Sequence, residues 1–308
     1  MLGYIVRRLL QLILIVWAVS VMVFVVVRLL PGDPAQMMAG PNASPDQVEN
    51  IRIRLGLDKP ISYQYWVFLQ NAAHGNLGIS FRYDRPVTAM IAEVYPITLK
   101  LAFVSMGLAL LIAVPLGILA AIHPNTLLDR FSLVLASFSQ SMPSFFLGIV
   151  FLMIFAVKLH WFPALGYEGV RAMVLPAVTL AFGLIAMIIR VTRTSFIEAL
   201  SADYVRTARS KGVGEPRIVL RHILPNALMP MVTVVGLQFG YLLGGIVAIE
   251  MVFNWPGIGY AMIRAIQNRD FPMVQAIIIV VAITFVLMTF VVDMLYAVLD
   301  PRIRQRAS

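Results

Sequence analysis

The chain alternates long uncharged apolar runs with shorter segments that carry its charges. Six runs of 18 to 27 residues contain no Asp, Glu, Lys or Arg, and they occupy residues 9–27, 101–122, 131–157, 172–189, 226–249 and 271–292. A helix of about 20 apolar residues is long enough to cross the hydrocarbon layer of a bilayer. The pattern therefore predicts an all-α integral membrane protein with six transmembrane helices.

Composition narrows the class of protein further. Hydrophobic residues make up 60% of the chain and charged residues 13%, against about 25% charged residues in a typical soluble domain. This balance excludes a soluble enzyme and a disordered chain. The absence of cysteine excludes a disulfide scaffold and thiolate chemistry, and the four scattered histidines show no metal-ligand spacing. The net charge of +9 lacks the basic and aromatic clustering of a nucleic-acid surface.

The positive charges report the orientation of the spans. Cytoplasmic loops of membrane proteins carry an excess of Lys and Arg. With a cytoplasmic N-terminus, the inner segments hold more than half of the 24 basic residues. They are Arg7, Arg8, Arg130, Arg190, Arg193, Arg206, Arg209, Lys211, Arg217, Arg221, Arg302, Arg304 and Arg306. Six spans then place both termini in the cytoplasm.

The spacing of the runs divides the chain into four parts. An N-terminal segment with the first span covers residues 1–30, an extracytoplasmic subdomain covers 31–97, a five-helix core covers 98–300 and a cytoplasmic tail covers 301–308. Within the core we expect spans at 98–122, 131–157, 172–194, 226–250 and 271–298, with a cytoplasmic segment at 195–225.

That cytoplasmic segment carries the signals of a short helix followed by a turn. Ser201 is a suitable N-cap, and Asp203 lies in the first turn, where a carboxylate meets the positive end of a helix. Gly212 supplies the left-handed position after the last turn. A helix over 202–211 is predicted, with Pro216 as the first residue of the next helix.

One face of this segment is apolar and the other is basic. Phe196, Leu200, Tyr204 and Ala208 recur every four residues, while Arg206 and its basic neighbours occupy other faces. Such a stripe suits insertion into a groove of a partner protein. It equally suits a helix lying on anionic lipid headgroups.

The residues of this segment also carry a resemblance. The run Asp203-Tyr-Val-Arg-Thr-Ala-Arg-Ser-Lys-Gly212 and the run His222-Ile-Leu-Pro-Asn-Ala227 resemble the cytoplasmic signature of permease subunits of ABC importers of the dipeptide, oligopeptide and nickel type. In the general importer pattern, an E-A-A triplet is followed by three residues, Gly, nine residues and I-x-L-P. Ala208, Gly212, Leu224 and Pro225 match it, whereas Arg206 replaces its Glu and His222 its Ile.

Further motifs extend the likeness over nearly the whole chain. They are Leu30-Pro-Gly-Asp-Pro34, Leu55-Gly-Leu-Asp-Lys-Pro60, His74-Gly-Asn-Leu-Gly78, Asn254-Trp-Pro-Gly-Ile-Gly259, Asn268-Arg-Asp-Phe-Pro272 and Asp300-Pro-Arg-Ile-Arg304. The resemblance implies the type I ABC importer permease fold and a multi-pass protein of the cytoplasmic (inner) membrane. It implies a heterodimer with a second, similar permease, two cytoplasmic ABC ATPases and an extracytoplasmic solute-binding protein. Di- and oligopeptides are the implied cargo, with glutathione or nickel chelates as alternatives.

The resemblance also implies where the ATPase contacts this subunit. The helix at 202–211 would be the coupling helix that enters a cleft of one ATPase. The residues carried over to this contact are Asp203, Tyr204, Arg206, Thr207, Ala208, Arg209, Lys211, Gly212, Leu224 and Pro225. No G-x-x-x-x-G-K-[ST] motif occurs in the chain, so it has no P-loop for nucleotide phosphates. We therefore expect a non-catalytic subunit without a cofactor of its own, with ATP and Mg²⁺ on the partner ATPases.

Two acidic residues lie at the ends of spans, where an ionisable group is a candidate functional residue. Glu250 could face the outer mouth of the pathway and meet a substrate ammonium group, or it could be an interfacial carboxylate bonded to nearby backbone. Asp293 falls level with Arg190 and Arg193 of the fourth span, so an interhelical ion pair is expected there.

Small and polar residues inside the spans give the remaining candidates. Gly236, Gly240 and Gly244 form one groove, which could pack against another span, form the seam with the second permease or line a pore. Gln238 is the one strongly polar side chain of that helix. In the third run, Gln140 and Ser141 belong to a polar cluster before Pro143 that must face protein or water. Gln238, Gln140 and Ser141 are pathway candidates, although a simple kink at Pro143 would also explain the cluster.

An ion-coupled secondary transporter is the alternative class. It would require a coupling carboxylate near the midplane or broken helices in inverted repeats. The centres of all six runs are uncharged, and no inverted repeat is evident. An ATP-driven permease is therefore favoured.

Overall fold

The computed structural model describes residues 2–29, 32–40 and 42–299 of the 308-residue chain. The predicted tail at 301–308 lies outside the described residues, as do Leu30, Pro31 and Asp300 of two quoted motifs. The chain forms two compact units. The core unit contains Leu99–Trp255 with the described residues up to Arg8 and from Leu287 onward, and the second unit contains Leu9–Thr98 and Pro256–Val286.

Thirteen α-helices form the described part of the chain. They are α1 (Leu2–Leu29), α2 (Pro34–Ala39), α3 (Pro45–Arg54), α4 (Ile61–Ala73), α5 (Val87–Ile122), α6 (Leu127–Ser141), α7 (Ser144–Phe151), α8 (Val170–Ser201), α9 (Asp203–Ser210), α10 (Glu215–Ile218), α11 (Leu224–Val252), α12 (Ile258–Gln267) and α13 (Phe271–Leu299). Two π-helical segments, Leu152–Lys158 and Val219–Ile223, continue α7 and α10. The predicted all-α class is confirmed for these residues.

Five of the predicted spans are continuous helices that are long and apolar enough to cross a bilayer. They are longer than the hydrophobic runs. The prediction starts the second span at residue 98, but α5 has 36 residues and begins at Val87. At 1.5 Å per residue it is about 54 Å long, against a hydrocarbon layer of about 30 Å. The helix therefore continues through polar residues such as Glu93 and extends beyond the hydrocarbon layer.

The third span is broken, which corrects the prediction of one helix over 131–157. The helices α6 and α7 are bent by 102° relative to each other. Met142 between them is extended, with φ −107° and ψ 132°. Proline disfavours helical backbone at the preceding residue and cannot donate an amide hydrogen bond, so Pro143 accounts for the break.

In the core unit, α8 is the most buried span. One side of it meets α5, where Gly117 lies so close to Thr192 that a Cβ on the glycine would lie 2.6 Å from the threonine Cβ. Gly148 of α7 lies against Phe253 and Ile249 at distances that leave little room for a side chain. Close helix packing through small residues is the usual solution where no hydrophobic effect drives helices together.

In the second unit, the predicted subdomain at 31–97 contains α2, α3 and α4, and α4 packs against α1. Tyr65 of α4 contacts Phe24 edge to face, with ring centroids 5.0 Å apart. The Tyr65 hydroxyl also lies 2.8 Å from Ser20 Oγ. The helix α12 belongs to the same unit, in a stretch to which the sequence analysis assigns no helix. Its Ile258 packs in a cluster with Val87 and Ile277.

Asp293 forms an interhelical ion pair, as predicted, but its partner differs from the arginines of the fourth span. Asp293 lies 3.1 Å from Arg8 rather than beside Arg190 and Arg193. Arg193 instead donates to Asp129 of α6, with Nε to Oδ1 at 2.6 Å and Nη2 to Oδ2 at 3.0 Å. Asp129 also accepts a hydrogen bond from the backbone amide of Asn125. The acidic partner was missed because Asp129 lies in the short 123–130 connection, outside every apolar run.

We expect the Arg193–Asp129 pair to fix α6 against α8. Asp129→Asn removes one partner of a buried pair and leaves the arginine uncompensated, at a cost of about 3 kcal/mol. The thermal unfolding midpoint of the purified importer complex should fall. The double replacement Asp129→Leu with Arg193→Leu should recover most of the loss, and an equal loss in single and double variants would contradict the assignment. Glu49→Gln, which removes an exposed carboxylate near Arg52, is the control.

Gly236 supplies a second test of packing in the core unit. A Cβ at Gly236 would lie 2.4 Å from Val292 Cγ2, whereas nothing lies within 4 Å of the corresponding position at Gly244. Gly236→Ala should therefore destabilise the complex by about 1–3 kcal/mol through overpacking. Adding Val292→Ala should restore stability in the same unfolding measurement. Gly244→Ala is the matched control, and equal effects of the two alanines would contradict close packing at Gly236.

Candidate functional site

The predicted cytoplasmic helix is present as α9. It begins at Asp203 after the extended residue Ala202 and ends at Ser210. The prediction of Ser201 as its N-cap is wrong. Ser201 is the last residue of α8, and its hydroxyl donates to the carbonyl of Glu198 at 2.8 Å. Gly212 has φ +74°, which is the left-handed conformation predicted for it.

The inward face of α9 is small and apolar. Val205 and Ala208 are buried. They join a cluster whose buried members come from five other elements of the core unit: Ala121, Phe196, Ala199, Ile218, Ile223, Ala227 and Met231. Ala208, which the family resemblance assigns to the contact with the ATPase, therefore faces the interior of this subunit.

The predicted four-residue stripe is divided between two helices. Phe196 and Leu200 belong to α8, where Phe196 is fully buried. Tyr204 belongs to α9 and is 40% exposed. The chain changes direction at Ala202, so equal sequence spacing does not place these side chains on one face.

The outward face of α9 is polar and mostly basic. All of its candidate contact residues other than Ala208 are exposed: Asp203, Tyr204, Arg206, Thr207, Arg209 and Lys211. Arg206 lies 3.9 Å from Asp203, a weak exposed pair. The surface presents three cations, one carboxylate and one aromatic ring.

A turn joins this face to α10 and α11. Arg209 donates to Glu215 with Nε to Oε1 at 2.6 Å, and this hydrogen bond holds the pKa of Arg209 above its ordinary value. Val213 donates its amide to the carbonyl of Ala208 at 3.2 Å. The turn is thereby closed on both sides of the exposed Gly212.

Leu224 and Pro225 are the first two residues of α11, and the helix runs through them from the preceding π-helical segment. Leu224 packs against the cluster around α9, and Pro225 is exposed in the first turn of α11. The preceding π-helical segment Val219–Ile223 connects α10 to α11 without a turn. A π-helical segment changes the hydrogen-bond register of a helix, which accommodates a proline that lacks an amide donor.

The intramembrane candidates do not converge on one site. Gln140 accepts from Arg190, and the Ser141 hydroxyl donates to the Ser137 carbonyl at 2.8 Å, both at the end of α6. Gln238 is half-buried on α11. Glu250 is fully buried in the core unit, so it does not face an open mouth in this conformation.

The glycine candidates on α11 have different surroundings. Gly236 is in close contact with Val292, whereas Gly244 faces open space. Gly240 is half-buried. The three glycines of α11 therefore do not form a single groove that is packed along its whole length in the core unit.

One feature of the site was missed from the sequence. Val205 is a buried anchor of α9. The spacing of Val205 and Ala208, three residues apart with Ile218 beyond the turn, is the signal that could have identified the inward face. Among the described residues, no group of three His, Cys, Asp or Glu side chains is placed to hold a metal ion.

Comparison with protein families matches nearly the whole chain. Residues 113–305 match the binding-protein-dependent transport system inner membrane component. Residues 1–102 match the N-terminal region of the membrane component of the same kind of system.

Curated relatives match over their full length. The glutathione transport system permease protein GsiC of Escherichia coli (strain K12) is 44% identical over 306 residues, which are 99% of this chain and 100% of that protein. The protein of the same name from Shigella dysenteriae serotype 1 (strain Sd197) has the same identity and coverage.

Solved structures show the same fold at lower sequence identity. An inward-facing MetNI methionine ABC transporter matches with a TM-score of 0.58 and 20% identity, covering 68% of this chain and 96% of that chain. An amino acid ABC transporter matches with a TM-score of 0.52 and 16% identity, covering 70% and 94%. The chain belongs to the family of binding-protein-dependent transport system inner membrane components and is a multi-pass permease subunit of an ABC importer of the peptide type.

Proposed function

We propose that this permease imports glutathione and related short peptides. The observation that carries the proposal is the 44% identity to glutathione permeases over 99% of the chain. Glutathione is itself a tripeptide, so it falls within the peptide class implied by the sequence motifs. Nickel chelates are the less supported cargo.

We propose further that α9 is the docking element for a partner ATPase. The alternative of a helix lying on lipid headgroups requires an apolar face that is free to enter the bilayer. The apolar face of α9 is already occupied, because Val205 and Ala208 are buried against α8, α10 and α11. What remains exposed is a polar, basic surface with one aromatic ring, which favours a protein groove with acidic side chains.

The proposed coupling runs through the buried face of α9. ATP and Mg²⁺ bind the partner ATPases, and their closure displaces α9. Because Val205 and Ala208 belong to one buried cluster with residues of α8 and α11, displacement of α9 is transmitted to two membrane spans. The complete importer in this proposal holds this permease, a second similar permease, two ATPases and an extracytoplasmic binding protein.

The conformation of Gly212 gives the sharpest test of the docking element. Gly212→Val places a β-branched residue at φ +74° in open space, so its effect comes from backbone strain of about 1–3 kcal/mol. ATP hydrolysis stimulated by the loaded binding protein should fall at least about fivefold in the reconstituted importer, while the permease remains in the membrane.

Gly214→Ala is the matched control for this test. Gly214 has φ −64° and nothing within 4 Å of a Cβ, so alanine is accommodated there. We expect wild-type hydrolysis from it. Normal stimulated hydrolysis by the Gly212→Val importer would reject the docking role of the turn.

The cargo is tested by uptake in a strain that lacks this permease. Complementation should restore accumulation of labelled glutathione, and excess unlabelled glutathione should compete with that uptake. Labelled dipeptides and a nickel chelate are assayed in parallel. Restored uptake of nickel or of longer peptides without restored glutathione uptake would overturn the cargo while leaving the docking role of α9 intact.

A further inference from the structure

A cavity of about 400 Å³ lies within the second unit, between the helices of the predicted extracytoplasmic subdomain and the ends of two spans. Its volume is in the range of sites for small ligands. The cavity is reached by Val27 and Arg28 from the last turns of α1, and by Phe271, Pro272 and Gln275 from the first turns of α13. A ligand in the cavity would therefore lie at the depth of the lipid headgroups.

The wall of the cavity is largely apolar. Met38, Leu55, Leu57, Val67, Phe68, Leu77, Ile79 and Phe81 all contribute to it. No aspartate or glutamate is among its lining residues in the described chain. The polar groups of the wall are mainly side-chain amides and one guanidinium. Hydrogen-bond donors therefore face an apolar space, and the wall contains no carboxylate to pair with them.

Arg28 is the cation of this wall and its position is fixed. Its Nε and Nη2 donate to Gln64 Oε1 at 3.0 and 2.9 Å, and its guanidinium lies 3.4 Å from the centroid of the Phe24 ring. Gln64 is a neutral partner, and no acidic side chain pairs with Arg28 in the described residues. The positive charge is held rigidly and is not neutralised.

Gln275 is a second polar residue of the cavity wall and supports a binding site independently of Arg28. It is only 8% exposed and lines the cavity. Its Nε2 is buried and has no hydrogen-bond partner among the described residues. Buried side-chain amides nearly always have partners, so an unpartnered donor beside a cavity indicates an acceptor that enters from outside the chain.

We propose that this cavity binds an amphiphile with one anionic phosphate or carboxylate headgroup and an apolar chain, and that an anionic phospholipid of the surrounding membrane is its source. Arg28 and Gln275 would hold the headgroup, and the apolar wall would hold part of the acyl chain. Basic pockets between membrane helices bind anionic lipid headgroups on the cytoplasmic side of membranes, and Arg28 offers the same charge complementarity where α1 and α13 meet the predicted extracytoplasmic subdomain. This site is separate from α9 and does not depend on which solute the importer carries.

The test measures binding of soluble short-chain lipids to the purified importer complex by native mass spectrometry. Dihexanoyl phosphatidylglycerol should bind, and Arg28→Gln should weaken it at least about tenfold, because a charge-assisted hydrogen bond is lost. Gln275→Met, which keeps the side-chain length but removes the amide, should also weaken binding. Unfolding midpoints of both variants are measured to separate loss of the site from loss of the fold.

Arg85→Gln is the matched control for the headgroup contact. Arg85 is an arginine of the same unit, but unlike the half-buried Arg28 it is exposed, pairs with Glu93 and does not line the cavity. The Arg85→Gln variant should bind dihexanoyl phosphatidylglycerol as well as the wild-type protein does. Equal binding of dihexanoyl phosphatidylcholine, or unchanged binding in folded Arg28→Gln and Gln275→Met variants, would overturn the anionic site. Equally tight binding of glycerol 1-phosphate would overturn the amphiphile and assign a free organophosphate instead.

Discussion

The proposed transmission of force in this permease depends on the contact of Val205 and Ala208 with the core unit. Without that contact, α9 would be an eight-residue helix on a flexible loop, and isolated helices of that length are not stable in water. Burial of its two small residues against α8, α10 and α11 makes α9 part of the same packed body as two spans. Protein interiors are close-packed, so a displacement of α9 cannot be absorbed locally.

The bilayer imposes the second constraint on the fold. Backbone groups in hydrocarbon must find hydrogen bonds within the protein, which leaves helices as the spanning elements. Prolines then require local solutions. At Pro143 the helix breaks and turns by 102°, whereas at Pro225 a π-helical segment carries the helix through without a turn. Pro225 directly precedes the run at 226–249, whereas Pro143 lies in the middle of the run at 131–157, beside the polar residues Gln140 and Ser141.

The all-α class, the apolar spans and the existence of the helix α9 could be predicted from the sequence. These features depend on local periodicity and on strong capping signals such as Gly212. Prediction from the sequence failed where tertiary contacts decide. Asp293 has Arg8 beside it because the two ends of the described chain meet in the core unit, and no spacing within one run reveals that. Ser201 is a good N-cap by type, but α8 continues through it. Periodicity also placed Ala208 on one face with Phe196 and Leu200, whereas the bend at Ala202 divides this stripe between α8 and α9.

The basic residues from Arg190 to Arg221, at the end of the fourth span and in the cytoplasmic segment, form two groups that differ in their partners. Arg190 and Arg193 bind Gln140 and Asp129 and stabilise the helix packing. Arg209 is bound to Glu215 and closes the turn after α9. Lys211, Arg217 and Arg221 are exposed and have no acidic partner in the described part of the chain. In the proposed docking, the exposed charge that remains for an ATPase is therefore that of Arg206 on α9 and of these three residues at and after the turn at Gly212. Exposed charges act over about 10 Å at moderate ionic strength, so the proposed ATPase groove should carry complementary acidic side chains on its rim and receive Tyr204 as its aromatic anchor.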